Sequence, residues 1–287
     1  MVASHLYQEK EVITNCLQVY PTDVLTNTQI AFLATHLPEP KAETGRPAYT
    51  NSQLLPGILR ILRSGCRWRD LDLPGYPSGI THWRRLRFWM RNESLKVIFL
   101  VLSKLYIRQE RLQSLKRLSL DGTFIPSFAF ADTTAYSGKE RKTGIKLSTL
   151  VDSQGIPLSF VFASGSTHDL TLAFDTMVQM PTEGYLVQQR VLLADMAYDS
   201  FPFRLFLKDH GTEPYITRRR KTSVKLFFAD HYPSDPKLTR KRFVVERFHA
   251  WMKGNRRVRM RYDYSLLSFK AFVYLSAIVL CVRQIVA

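Results

Sequence analysis

Arg117-Leu-Ser-Leu-Asp121 is the stretch that decides the fold, because it is the first strand-like segment after a long region of helical spacing. Downstream, Lys146-Leu-Ser-Thr-Leu-Val-Asp152 and Ile156-Pro-Leu-Ser-Phe-Val-Phe162 flank the short segment Ser153-Gln-Gly155. This pattern predicts a β-hairpin, with glycine where the turn needs a positive φ. The centre of the chain therefore begins with a strand and a two-stranded hairpin.

Helices and strands alternate after the hairpin. Thr167 is a suitable N-cap for a helix that ends near Met180. The spacing further predicts a strand at 190–194, a helix at 200–209, a strand at 213–217 and a helix that contains Glu246. This order predicts an α/β fold in which helices flank a five-stranded mixed sheet.

The preceding region, residues 28–105, has the spacing of helices only. Its third helix is expected to begin at Ser78 or Thr81, and Arg84, Arg87 and Arg91 form a basic stripe on it. Two helices joined by a compact turned segment suit a helix-turn-helix unit whose arginines contact DNA. An ordinary helical domain with a charged outer face is the alternative. Residues 1–27 are expected to be a leader.

The charge of the chain indicates a polyanionic partner. The 287 residues carry a formal net charge of +17, with a pI near 9.9. Between residues 218 and 261, fifteen Lys and Arg oppose three acids, which gives +12 of that total. Nucleic acid or an acidic membrane surface fits such a balance, and a merely solvated face is the alternative. Arg218, Arg219 and Arg220 are expected to contact DNA phosphates.

Three cysteines, Cys16, Cys66 and Cys281, fit neither a zinc pattern nor a disulfide framework. The N-terminus has no basic segment followed by an apolar core, so no signal peptide is expected. The apolar run 271–282 is too short to span a bilayer, which predicts a packed C-terminal helix. A cytoplasmic protein without a membrane partner is therefore expected.

Carboxylates recur at positions that suit phosphoryl-transfer chemistry. Asp121 and Asp195 each end an apolar run, and Glu246 lies on a basic helix. Helical spacing predicts one face that carries Arg242, Glu246, His249 and Lys253. Carboxylates are the hard ligands that divalent cations need. The alternatives are turn residues at strand ends and a surface ion pair between Arg242 and Glu246.

These motifs together resemble the DDE transposases of bacterial insertion sequences, in the group that includes the insertion-sequence-five family. The third motif of that group reads Tyr-x2-Arg-x3-Glu-x6-Lys. Arg242, Glu246 and Lys253 match it, and Thr239 stands at the tyrosine position. The resemblance covers roughly residues 28–285 and includes Leu118-Ser-Leu-Asp121 and Leu193-Ala-Asp195.

The resemblance implies an RNase H-like catalytic domain over 106–287, with a basic insertion around 218–241, after a DNA-binding domain at 28–105. It implies that Asp121, Asp195 and Glu246 are catalytic and bind Mg²⁺ or Mn²⁺. Arg242 and Lys253 are then accessory contacts to double-stranded DNA, and His249 shares their face.

The implied reaction is cleavage of DNA at element ends followed by strand transfer into target DNA. The protein is expected to act in the cytoplasm on the nucleoid, as a homodimer that pairs two ends. Two alternatives remain open at this point. One is a catalytically inactive or repurposed DNA-binding protein, and the other is an RNase H-like nuclease without strand transfer.

Overall fold

The computed structural model describes residues 2–20, 22–40, 48–108, 112–128, 131–181, 189–217 and 235–286. The chain divides into two compact units. One unit contains residues 1–102 together with residues 252–287, and the other contains residues 103–251. The first unit is helical, whereas the second holds the β-sheet.

The chain begins with helices, and its described strands lie between residues 117 and 216. The helices are α1 (Val2–Val19), α2 (Asn27–His36), α3 (Asn51–Ser64), α4 (Gly79–Arg91), α5 (Ser94–Arg108), α6 (Leu112–Leu115), α7 (Asp169–Val178), α8 (Phe201–Asp209), α9 (Pro236–Arg240), α10 (Phe243–Gly254), α11 (Arg256–Arg259) and α12 (Leu266–Ile285). The strands are β1 (Arg117–Pro126), β2 (Ala135–Ser137), β3 (Lys142–Val151), β4 (Pro157–Ser164), β5 (Arg190–Ala194) and β6 (Thr212–Ile216).

Hydroxyl side chains begin three helices of the helical unit. Thr26 and Thr50 cap α2 and α3, and in each case a glutamine three residues later bonds back to the cap and completes a capping box. Ser78 accepts a hydrogen bond from the backbone nitrogen of Thr81 and caps α4. Of the two starts that the sequence left open for this helix, Ser78 is therefore the N-cap.

Helix α1 belongs to the helical unit, although residues 1–27 were expected to be a leader. It packs against α2 and α3. Ile13, Cys16 and Tyr20 are buried there, and the Tyr20 hydroxyl lies 3.0 Å from the carbonyl oxygen of Leu71. The burial of these apolar side chains ties the first residues to the helices that follow.

The C-terminal residues 252–287 also group with the helical unit, whereas the sequence predicted them to be part of a domain spanning 106–287. Helix α12 packs against α4 and α2, and Phe269, Phe272 and Leu275 are fully buried. A helix that is apolar around its whole circumference needs cover on every side. The compact units thus meet at residues 102/103 and 251/252, and the predicted domain ranges stay a prediction.

Helix α12 is longer than the apolar run from which it was predicted. At 20 residues it is long and apolar enough to cross a membrane by length and composition alone. However, 67% of its apolar window is buried inside the protein. The packed C-terminal helix is confirmed, but the reason given for it, a length too short to span a bilayer, was wrong.

The sheet has six described strands instead of the predicted five. The strand order is β2-β3-β1-β5-β6, and β4 also pairs with β3. β1 is antiparallel to β3 and parallel to β5, so the sheet is mixed as predicted. The missed strand, β2, has three residues and pairs with the start of β3. A strand this short leaves no alternating pattern in the sequence.

The predicted hairpin joins β3 to β4. Gly155 has a φ of 88°, a left-handed conformation that favours glycine. The buried Asp152 carboxylate accepts hydrogen bonds from the backbone nitrogens of Gln154 and Ile156 and from the Tyr106 hydroxyl. The Asp152 carboxylate thus supplies hydrogen-bond acceptors for the backbone N–H groups of the turn.

Candidate active site

The sequence predicted Asp121 at the end of a strand. In the structure it lies inside strand β1 instead. β1 continues to Pro126 because its second half pairs with β3, where Asp121 is opposite Thr149. The parallel pairing of β1 with β5 stops earlier, at Ser119 opposite Leu193. Asp121 is therefore in the middle of one ladder and beyond the end of the other.

Asp195 follows strand β5 directly, as predicted. The pairing register of β1 with β5, continued by two residues, places Asp195 alongside Asp121. The Asp195 Oδ1 accepts a hydrogen bond of 2.8 Å from the backbone nitrogen of Ala197 and so caps a short 3-10 helix, Met196–Tyr198. This bond sets the direction of the carboxylate.

Arg242 joins two of the three predicted carboxylates. It immediately precedes helix α10 and lies one turn before Glu246. Its Nη2 is 2.6 Å from the Oε1 of Glu246, and its Nη1 is 3.3 Å from the Oδ2 of Asp121. The planar guanidinium presents several N–H donors and can serve two carboxylates at once. Asp121 and Glu246, which are far apart along the chain, thus share one cation.

The electrostatics of this cluster are concentrated on Asp121. The pKa of its carboxyl group is raised to about 6, mainly by burial and to a smaller extent by the charges of Asp195 and Glu246, while the charge of Arg242 and the backbone N–H of Gly122 oppose the shift. Desolvation and like charges both disfavour the ionised form. Asp121 therefore needs a positive partner to remain ionised at neutral pH.

The three carboxylates fit a divalent cation by their chemistry, since all their donor atoms are hard oxygens and their charges repel one another. Within the described ranges, no three His, Cys, Asp or Glu side chains are close enough together to form a ready metal site. Here the Arg242 guanidinium bonds to both Asp121 and Glu246 and stands in for the charge that a cation would supply.

The predicted arginine stripe lies on the surface of the helical unit. Arg84, Arg87 and Arg91 are exposed on α4. The Arg87 guanidinium lies 5.0 Å from the centre of the Trp83 ring, a cation–π distance. A surface cavity of about 520 Å³ is lined by Trp83, Arg84, Arg87, Phe88, Arg91 and Asn92. Positive charge and aromatic rings thus surround one groove.

The remaining residues that were predicted to contact DNA differ in how far they are exposed. His249, which was predicted to share a face of the helix with Glu246, is only 6% exposed. The helix turns this position towards the core beside the buried Phe248. Lys253 is half-buried near the end of α10. Arg218, Arg219 and Arg220 lie outside the described residues.

Thr239, at the tyrosine position of the third motif, lies in helix α9. Its hydroxyl donates a hydrogen bond of 2.8 Å to the carbonyl oxygen of Asp235, one turn earlier. The hydroxyl of this threonine therefore has its hydrogen-bond partner within its own helix.

An ion pair between a lysine and an aspartate lies close to Gly122, and the sequence did not predict this pair. The Lys146 Nζ lies 3.1 Å from the Oδ1 of Asp169 and 2.7 Å from the carbonyl oxygen of Thr167. His168, not Thr167 as predicted, caps α7 by accepting a hydrogen bond from the backbone nitrogen of Leu170. The sequence placed Lys146 at the start of a predicted strand, but its pairing with Asp169 joins two separate elements and is not visible in local spacing.

The chain is similar to proteins encoded by insertion elements. Residues 113–282 match a family described as "Transposase DDE domain", and residues 25–99 match one described as "Putative transposase of IS4/5 family". A "Putative transposase for insertion sequence element IS402" from Burkholderia cepacia is 31% identical over 145 residues, which make up 49% of this chain and 64% of that protein.

A second relative from the same organism, "Insertion element IS402 uncharacterized 16.2 kDa protein", is 49% identical over 55 residues, which make up 18% of this chain and 37% of that protein. The chain thus spans less than two thirds of either relative's length. No solved structure matches it.

Proposed function

Because the chain belongs to the DDE transposase family, we propose that it cleaves DNA at the ends of an insertion element and joins those ends to target DNA. The observation that carries this proposal is the guanidinium of Arg242, which pairs with both Asp121 and Glu246 in one site. Both steps are phosphoryl transfers. Water first hydrolyses a phosphodiester and releases a 3′-OH, which then attacks a target phosphodiester and displaces a target 3′-oxygen.

Asp121, Asp195 and Glu246 would hold the divalent cations on which this chemistry depends. The chemistry that Mg²⁺ or Mn²⁺ supplies at such a site is activation of the attacking oxygen and stabilisation of the leaving oxygen. Two features of the chain support this role. The Asp195 carboxylate is already oriented by the backbone of Ala197, and Asp121 is buried among like charges.

Arg242 would change partners as the site is loaded. It now stabilises the ionised forms of Asp121 and Glu246. A divalent cation at the same carboxylates would repel the guanidinium, because like charges in a partly buried site interact strongly. The released side chain could then bind a phosphate through paired N–H groups, the geometry that guanidinium groups prefer.

Double-stranded DNA is the proposed partner. Fifteen Lys and Arg against three acids between residues 218 and 261 provide the charge, and Arg84, Arg87 and Arg91 add an exposed stripe on α4. Neutralising phosphates with such residues releases counterions, so binding weakens steeply with salt. Joining two element ends also needs two sites, and a homodimer would supply them.

The test uses the full chain, Mg²⁺ and DNA fragments that carry the inverted repeats flanking its gene. We expect end cleavage and transfer of the 3′-OH into a target duplex. Asp121→Asn should abolish both reactions and still bind the DNA, because it removes a charge and keeps the side-chain volume.

The outcomes separate the alternatives. Cleavage without joined products would indicate a nuclease, and DNA binding without either reaction would indicate an inactive or repurposed binding protein. If Asp121→Asn cleaves DNA as fast as the original chain, the carboxylate site proposed here is wrong.

A further inference from the structure

The Tyr198 hydroxyl is a buried polar group without a hydrogen-bond partner among the described residues. The side chain is only 1% exposed. Burying a hydroxyl without a partner is unfavourable, because its hydrogen bonds to water are lost on folding and not replaced. Such a group in a native protein requires an explanation, and a role at a functional site is one of those that physical chemistry offers.

Gly122, the residue after Asp121, lies beside the Tyr198 hydroxyl. A Cβ atom at this glycine would lie 3.5 Å from the Tyr198 hydroxyl and 2.6 Å from the Oδ1 of Asp169. The Tyr198 hydroxyl thus lies at van der Waals distance from this position next to Asp121, whereas the close approach of the Asp169 carboxylate depends on the absence of a side chain there.

Three carboxylates act on this hydroxyl. Burial raises the pKa of Tyr198 well above its usual range, and the charges of Asp121, Asp169 and Asp195 add to the effect, with Asp121 contributing most among them. The phenol therefore keeps its proton. A protonated hydroxyl close to carboxylates is a hydrogen-bond donor that needs an acceptor.

Asp121 is the acceptor whose partner would change if divalent cations were bound. Asp169 already pairs with Lys146, and Asp195 already accepts a bond from Ala197. Asp121 pairs with Arg242, whose guanidinium a divalent cation would displace. Asp121 would then have lost a donor, while Tyr198 would still lack an acceptor among the described residues.

We propose that Tyr198 is a positioning residue, whose hydroxyl donates a hydrogen bond to the Asp121 carboxylate when divalent cations occupy the site. The inference rests on the proposed function, since it requires that Asp121 binds a cation. The hydroxyl is too deeply buried to contact DNA, so Tyr198 acts through Asp121 and not on the reacting atoms.

The test compares the full chain with its Tyr198→Phe variant by thermal unfolding, first in EDTA and then across a Mg²⁺ titration. In EDTA we expect the variant to melt at the same temperature or higher, because it loses a hydroxyl that has no partner. In Mg²⁺ we expect the concentration for half-maximal stabilisation to rise about tenfold, because a hydrogen bond to a charged group is lost.

Tyr106→Phe is the matched control, because Tyr106 is equally buried but its hydroxyl donates a bond of 2.7 Å to the Oδ2 of Asp152. It should lower the melting temperature in EDTA and leave the Mg²⁺ midpoint unchanged. A merely structural Tyr198 would behave like Tyr106.

The result distinguishes the inference from the function on which it rests. If Mg²⁺ does not stabilise the original chain, the proposed carboxylate site has failed. If Mg²⁺ stabilises the original chain and Tyr198→Phe with the same midpoint, the role of Tyr198 is refuted. A drop in melting temperature in EDTA for Tyr198→Phe would also count against it, because it would reveal a partner already present.

Discussion

Arg242 and Asp121 form an ion pair of 3.3 Å in which the two side chains are only 21% and 19% exposed. Arg242 also reaches Glu246, so a single guanidinium serves as the internal counter-charge of the acidic cluster. Losing one partner of a largely buried pair leaves the other charge without compensation, and this is more costly than losing an exposed pair.

Arg242→Gln should therefore destabilise the metal-free protein at pH 8 by about 1–3 kcal/mol, because the buried Asp121 carboxylate loses its charged donor. The loss should shrink at pH 5, because burial raises the pKa of Asp121 to about 6 and the group is then mostly protonated. Urea unfolding in EDTA at both pH values measures this. Arg247→Gln, an exposed arginine on the same helix, should change stability by less than about 0.5 kcal/mol. An equal loss at both pH values would contradict the argument.

Gly122→Ala should disturb the acidic site through packing. Its Cβ would lie 2.6 Å from the Oδ1 of Asp169, so the carboxylate that pairs with Lys146 must move. Overpacking of this kind costs about 1–3 kcal/mol. Chemical denaturation would measure the loss against Gly138→Ala, where the new Cβ has no atom within 4 Å. Equal stability of the two variants would show that Asp169 moves freely.

His82 should make stability depend on pH. Burial lowers the pKa of His82 below 6.5, although a hydrogen bond to the Ser78 carbonyl and the charge of Asp72 oppose the shift. The unfolded chain then binds a proton below about pH 6.5 that the folded chain does not, so the free energy of unfolding falls as pH decreases, by up to about 1.4 kcal/mol per pH unit.

His82→Asn should flatten this slope between pH 6.5 and 5. The measurement is the free energy of unfolding by urea at several pH values. His36→Gln is the control, since His36 is exposed, and it should keep the original slope. A slope that survives in His82→Asn would assign the pH dependence to other groups.

Replacing Arg84, Arg87 and Arg91 together by glutamine should weaken binding to duplex DNA whatever its sequence. Each phosphate contact that is lost should reduce the slope of log K against log salt by about one. Fluorescence anisotropy at several salt concentrations measures the slope. Lys96→Gln on α5, whose lysine pairs with Glu93, should leave the slope unchanged. If the triple variant keeps the original slope, the groove on α4 does not bind DNA backbone.

Local features of the sequence were enough to predict the structural elements that depend on contacts between neighbouring residues. Ser78 caps α4, Gly155 turns the hairpin, and Glu246 follows Arg242 by one helical turn. These depend on contacts within four or five residues, which spacing and residue type encode directly. The family resemblance then joined Asp121, Asp195 and Glu246 into one expected site, and its role in binding cations stays a prediction.

The sequence by itself determined the alternation of strands and helices, the basic charge and the identity of the acidic residues. Only the tertiary structure decided that Asp121 lies within β1, that Arg242 bridges it to Glu246, that His249 is buried and that Tyr198 lies close to Gly122. The physical reason is that these arrangements follow from strand register and from competition for buried space between distant segments, and neither leaves a mark in the local pattern of residues.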